Sequence, residues 1–213
     1  MTTIRMSMTG LSVMILMAST AWAHDLLPAP WRGQDGATFA QWTFDSPTDP
    51  GTIDNPYGDA TASVTLGVQG TGWHDSLVGL GVQTGLWDLG GDGGSIVLEI
   101  DNRPLALDYK EIWIQVTYFE DFSQAPIITI PGASFVSSQT QTVEEVLNGG
   151  AWILSQSLWR IEPNPSHEQI VIASDPMWGS VIDQIVVDTI RVPEPAGLAL
   201  LTAGMAVMRR RRQ

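Results

Sequence analysis

From Ser95 to Asp101 the chain keeps a two-residue period, with Ile96, Leu98 and Ile100 on one face and Ser95, Glu99 and Asp101 on the other. Glu111 to Phe119 repeats it, setting Ile112, Ile114, Val116 and Tyr118 against Gln115 and Thr117. Only an extended strand sends alternate side chains to opposite faces, so these runs predict half-buried strands. Val181 to Ile190 is apolar on both faces, through Ile185 and Val187 on one and Ile182, Val186 and Ile190 on the other, as in a central strand. Thr38–Phe44, Thr61–Leu66, Ile127–Ile130, Trp152–Ile161 and Gln169–Ala173 are further strand candidates.

Turn chemistry separates these runs: Asp49-Pro50-Gly51, Asn55-Pro56-Tyr57-Gly58, the glycine-rich Gly90 to Gly94, and Asn164-Pro165. One short helix is predicted where Thr142 and Glu145 have capping-box spacing and Gly149 offers a stop. No long amphipathic helix and no fixed-period repeat accompanies them, which removes solenoids and propellers. Many short strands joined by turns predict an all-β fold, an antiparallel β-sandwich of jelly-roll type.

The two ends have a different composition. Arg5, the apolar run Leu11 to Ala18 and the small-x-small triplet Ala21-Trp22-Ala23 form a signal peptide, residues 1–23, with His24 as the first mature residue. The competing reading is a buried N-terminal helix. At the other end Val192-Pro193-Glu194-Pro195 precedes the uncharged stretch Ala196 to Met208 and then Arg209, Arg210, Arg211 and Arg212. The prolines hold the motif extended, the apolar stretch can enter a bilayer as a helix, and the arginines stay on the cytoplasmic side. The competing reading here is a plain tail anchor. The chain thus divides into 1–23, a body of residues 24–190, and a tail of residues 191–213.

The order proline motif, apolar stretch, basic stop resembles the PEP-CTERM sorting signal of Gram-negative bacteria. That resemblance covers the tail alone. It implies cutting near Pro193-Glu194-Pro195 by an exosortase and release to the surface or matrix, after signal peptidase has acted at the other end. Ile182 to Thr189 is also similar to the last strand of galactose-binding-like jelly rolls, which adds to the expected fold and carries no binding site across.

Charge narrows the partners. Of the 23 acidic residues, 22 lie in the body, against Arg32, Arg103, Lys110 and Arg160. Such a domain repels phosphate backbones and anionic lipid, so nucleic acid is excluded as a partner and membrane contact falls to the two end segments. The lack of cysteine excludes thiolate catalysis and cysteine-held metals. A body of this length buries a core without disulfides.

Eight tryptophans remain after the signal segment: Trp31, Trp42, Trp73, Trp87, Trp113, Trp152, Trp159 and Trp178. Indole rings stack on the C–H faces of sugars, and carboxylates accept hydroxyl hydrogen bonds. Trp73 and Trp87, in glycine-rich stretches that read as loops, are the candidate glycan-binding pair. The competing reading makes the rings core filler, as expected for Trp113 and Trp152. Asp88 and Asp92, with carbonyls of Gly90 to Gly94, are candidate calcium ligands, and Asp54, Asn55 and Asp59 form a second cluster. Neither has EF-hand spacing, and turn chemistry explains both as well. His74-Asp75-Ser76 puts triad residue types side by side, but a triad converges from separate segments. No catalytic residue is assigned and no cofactor is required. The expected function is that of an exported surface or matrix protein whose body binds polysaccharide. A structural surface protein without ligand, and a secreted glycan-active hydrolase or lyase, stand as alternatives.

Overall fold

The computed structural model describes residues 25–47, 51–102, 109–147 and 149–192. The signal segment with Ala21 and Ala23, and the tail from Pro193 through Arg212 with its expected helix, lie outside the described residues. Those described contain twelve strands and no helix.

The strands form two antiparallel sheets in a sandwich-like arrangement. The larger has β1 (Ala37–Trp42), β2 (Thr52–Asp54), β7 (Tyr109–Glu120), β9 (Ala133–Glu145), β10 (Ala151–Ile161) and β12 (Val181–Val192), in the order β2-β1-β12-β7-β10-β9. A short hairpin, β4 (Gly72–His74) with β5 (Leu86–Asp88), joins it through β12. The smaller has β3 (Ala60–Thr65), β6 (Ser95–Asp101), β8 (Ile127–Thr129) and β11 (His167–Ala173), in the order β3-β6-β11-β8.

The alternation read from sequence selects the face of each strand that is buried between the sheets. Ile112, Ile114 and Val116 of β7, Ile185 and Val187 of β12, and Trp42 of β1 pack with Ile96, Leu98 and Ile100 of β6 and Ile170 and Ile172 of β11. At one end of this core Lys110 Nζ, from the larger sheet, meets Glu168 Oε1 of the smaller at 2.7 Å. Asn102 Nδ2 also donates to Glu168. Burial pushes the Glu168 carboxyl up to about 7, with Lys110 pulling the other way, and burial likewise lowers the Lys110 ammonium.

The outer face of the larger sheet is also largely buried, beneath chain that is not sheet. Residues 25–36 cross it as a strap. Leu27 N donates to Gln115 Oε1 at 3.0 Å, Trp113 Nε1 donates to Leu27 O at 2.8 Å, and Trp31 stands edge-on to Trp113. Arg32 bonds Asp188 through Nε and Nη2 at 2.5 and 2.6 Å and also pairs with Asp25. Burial works against that guanidinium charge, but the two carboxylates outweigh it and hold the proton more tightly. At the other end the loop 75–85 brings Leu80 onto Leu86, Phe119, Trp152 and Val181 as a second apolar cluster.

The predicted helix at Thr142 to Gly149 is overturned. Thr142 and Glu145 close β9, and Val146 N bonds Gly150 O at 3.1 Å across a turn into β10. Gly149 and Gly150 both take positive φ there, at 105° and 81°. The pairing of β9 with β10 across its length supplies the backbone hydrogen bonds that a helix would have made internally. At the C-terminal boundary β12 runs two residues past the expected limit of the body, pairing Arg191 with Lys110 and Val192 with Tyr109.

Candidate functional site

The structure corrects the placement of the two tryptophans expected on loops. Trp73 and Trp87 lie on β4 and β5 and face each other as cross-strand partners. Both are half-buried and pack on the core: Trp73 Nε1 donates to Phe44 O at 2.8 Å, and Trp87 stands edge-on to the Phe44 ring. Trp113 and Trp152 are in strands as expected. The exposed ring is Trp178, 62% accessible, in the turn between β11 and β12.

That turn is fixed by its own residues. Asp175 Oδ1 accepts Met177 N at 2.9 Å and Trp178 N at 2.7 Å, and Gly179 N returns to Asp175 O at 3.0 Å. Gly179 has φ of +77°, and a Cβ on it would lie 3.0 Å from the backbone of Gly90, so only glycine lets the turn sit this close to β5. Trp178 is therefore presented outward by a turn already held in place. Around it is an open cleft of about 200 Å3 whose rim carries Val68, Phe122, Met177 and Trp178 and whose floor includes Asp88, Gly90 and Ser180. Closed small-molecule pockets hold about 300–1,000 Å3. This cleft suits part of a longer molecule that continues into solvent.

Asp88 is at the cleft but is already engaged: it accepts Thr71 N at 3.2 Å, Thr71 Oγ1 at 2.5 Å and Gly90 N at 3.0 Å. The glycine-rich run beside it serves close backbone approach. Val68 N donates to Asp92 O at 2.9 Å and Gly91 N to Val68 O at 2.8 Å. A Cβ on Gly70 would fall 2.6 Å from Leu89 O. Asn55, in the second candidate cluster, uses Oδ1 for Tyr57 N and Nδ2 for Asp101 O. No group of three or more histidine or acidic side chains placed to hold a metal ion occurs among the described residues. His74 Nε2 is 2.7 Å from Thr71 Oγ1, whose proton goes to Asp88, so the imidazole sits as donor to that hydroxyl and not as its base.

Sequence reasoning counted Trp178 among the eight and did not single it out. The signal was present: it follows Asp175-Pro176, precedes Gly179, and belongs to no alternating run. Fold and cleft together define an all-β, sandwich-like protein with an aromatic-rimmed open groove at one end of the larger sheet. No protein-family model matches the chain, and no curated protein matches it at a significant level.

Proposed function

We propose that this chain is an exported surface or matrix protein whose jelly-roll-like body holds polysaccharide at the Trp178 cleft. Signal peptidase cuts after Ala23, and an exosortase-like enzyme cuts near Pro193-Glu194-Pro195. The tail's order of motif, apolar stretch and arginines supports the export half of the reading. The observation that carries the binding half is an exposed indole on a turn whose backbone is held by Asp175, beside a cleft with polar lining. A turn whose backbone is already ordered has less entropy to lose when a sugar face stacks on its indole, which has only two rotatable side-chain bonds. The strong negative charge of the body fits a neutral glycan better than an acidic one.

Two measurements test this. Mass spectrometry of the protein recovered from its host should show His24 as the first residue and no peptide beyond the Val192 region; intact ends in the cytoplasm would refute export. A glycan array should show binding that is lost in Trp178→Ala, with and without calcium as separate arms. Equal binding by the variant would move the site elsewhere, and release of reducing ends would promote the hydrolase reading.

A second reading, a structural protein that assembles without a small ligand, is favoured by β9. This strand of thirteen residues is the outer strand of its sheet, and nearly all of it is exposed. Unpaired edges of this length are templates for another strand. Concentration-dependent growth in size-exclusion mass supports that reading, and a constant monomer mass removes it.

A further inference from the structure

Two non-glycine residues among those described take positive φ, Phe44 at 55° and Gln69 at 63°. A Cβ crowds its own backbone there, so residues other than glycine or asparagine keep such a φ only when something compensates. Phe44 is compensated: its ring is buried in the main core, and its carbonyl accepts Trp73 Nε1. Gln69 is exposed, and no hydrogen bond engages its side-chain amide among the described residues.

The turn that carries Gln69 has no freedom to relax. Gly70 N closes it by donating to Gly67 O at 3.1 Å, which puts Gln69 third of four, the position that takes glycine or asparagine when φ is positive. Gly67 N donates to Leu89 O at 2.8 Å and Val68 N to Asp92 O at 2.9 Å, so the turn is stapled to the run after β5. A Cβ on Gly67 would fall 2.4 Å from Gly91 O, and one on Gly70 2.6 Å from Leu89 O. With the backbone set this tightly, glycine at position 69 would serve the turn better than glutamine does. The glutamine side chain answers to something outside the turn.

What lies outside is the Trp178 cleft, which Gln69 lines. The other polar side chains around that cleft, the indole aside, are already engaged. Asp88 accepts from Thr71 and Gly90, Ser123 Oγ donates to Phe119 O, and Ser180 Oγ donates to Gln124 O at 2.9 Å. A ligand entering the roughly 200 Å3 of open space therefore meets one free primary amide and an apolar rim of Val68, Phe122, Met177 and Trp178, all exposed.

We propose, resting on the glycan reading of this cleft, that Gln69 is its specificity-determining residue and that the ligand is a neutral glycan bearing acetamido groups. A primary amide offers donors and an acceptor together, and an acetamido group returns one of each. The acetamido methyl matches what the rim offers: covering it against Val68 or Met177 takes apolar surface of both partners out of water. A sugar with hydroxyls alone would stack on Trp178 but leave the rest of the rim wet. Uronic or sulfated sugars are disfavoured by the acidic body.

Calorimetric titration of the full chain tests this with two ligands of one linkage, the N-acetylglucosamine trisaccharide and the glucose trisaccharide, and with the methyl glycosides of N-acetylgalactosamine and galactose as a second pair. In at least one pair the acetamido sugar should bind about tenfold tighter than its hydroxyl counterpart. Gln69→Gly should cut that preference to about twofold or less and yet melt no lower than the parent, because glycine accepts the positive φ. Trp178→Ala should weaken both members of the pair. Equal binding of acetamido and hydroxyl sugars by the parent overturns the proposal and leaves the glycan reading standing. A preference that survives in Gln69→Gly also overturns it, as does a Gln69→Gly variant that melts well below the parent, which would make the side chain structural. If no sugar of either pair binds, or Trp178→Ala binds as the parent does, the glycan reading of the cleft falls and the proposal with it.

Discussion

The two faces of the larger sheet are built from the same strands and buried to similar degrees, yet they are buried by different means. Toward the smaller sheet, Trp42, Ile112, Ile114, Val116, Ile185 and Val187 meet a matching apolar surface and need no directional partner. Toward the outside, β7, β10 and β12 present Gln115, Thr117, Gln156, Gln184 and Asp188, all buried, under the strap and the loop 75–85. Apolar burial is non-directional and is satisfied by contact area. Polar burial is satisfied only by partners of the right geometry. The strap supplies them for Gln115 and Asp188; for Thr117, Gln156 and Gln184 no described part of the chain does. One face thus accounts for cohesion, and the other carries the polar groups whose burial costs the fold most.

Perturbations of the inner face give the largest expected effects. Trp42→Ala empties a fully buried site and should cost about 3–5 kcal/mol, read as a lower denaturant midpoint with an unchanged slope. Close behind, Lys110→Met leaves Glu168 without its counter-charge and should cost about 3–5 kcal/mol near neutral pH; adding Glu168→Leu should recover most of the loss. If the double variant stays as unstable as the single one, the ion pair is more than a tolerated interruption of the apolar face.

Next comes the outer face, and here the effect depends on pH. Asp183 has its carboxyl raised from 3.8 to about 8. A raised carboxyl stabilises the fold fully below the unfolded value, and the contribution drains away as pH rises through the folded value. Asp183→Asn, which cannot ionise, should therefore match the parent at pH 4 and be more stable by about 1–3 kcal/mol at pH 9. A midpoint difference independent of pH would show that this carboxyl is not held in its neutral form. The smallest effect belongs to the exposed end: Trp178→Ala should shift stability by no more than about 0.5 kcal/mol. A larger loss would make that ring part of the packing and remove it as a binding platform.

How far the fold could be read in advance depended on which faces each strand covers. β6 and β8 lie inside stretches predicted as strand, and β1, β3, β7, β10, β11 and β12 overlap such stretches and run one or two residues past them, because at least one face of each meets the core. The longest strand, β9, escaped notice because it is a sheet edge with almost every side chain exposed, so Ser134 to Gln141 show no apolar alternation. Its pairing with β10, backbone to backbone, holds it, and such pairing leaves no mark on side-chain pattern. Local signals misled twice for the same reason. The capping-box spacing at Thr142 and Glu145 is real in sequence but is overridden by that pairing, and the glycines around Trp73 and Trp87 flank a hairpin instead of a loop. Gln115 and Thr117 of β7 read as the outward polar face of a half-buried strand, because nothing local announces that distant segments will cover them.

Sequence alone determined the strand class, the sharp division between an acidic body and two apolar ends, and the side of each core strand that is apolar. These follow from short-range periodicity and composition, which any stretch of about ten residues carries by itself. Only the tertiary structure decided which tryptophan is left in solvent, which carboxyl is held neutral, and which amides are buried without partners. Those properties arise where segments far apart in the chain meet, as Leu27 meets Gln115 and Leu80 meets Trp152. Exposure and desolvation are consequences of what a neighbour covers, and no residue encodes its neighbour.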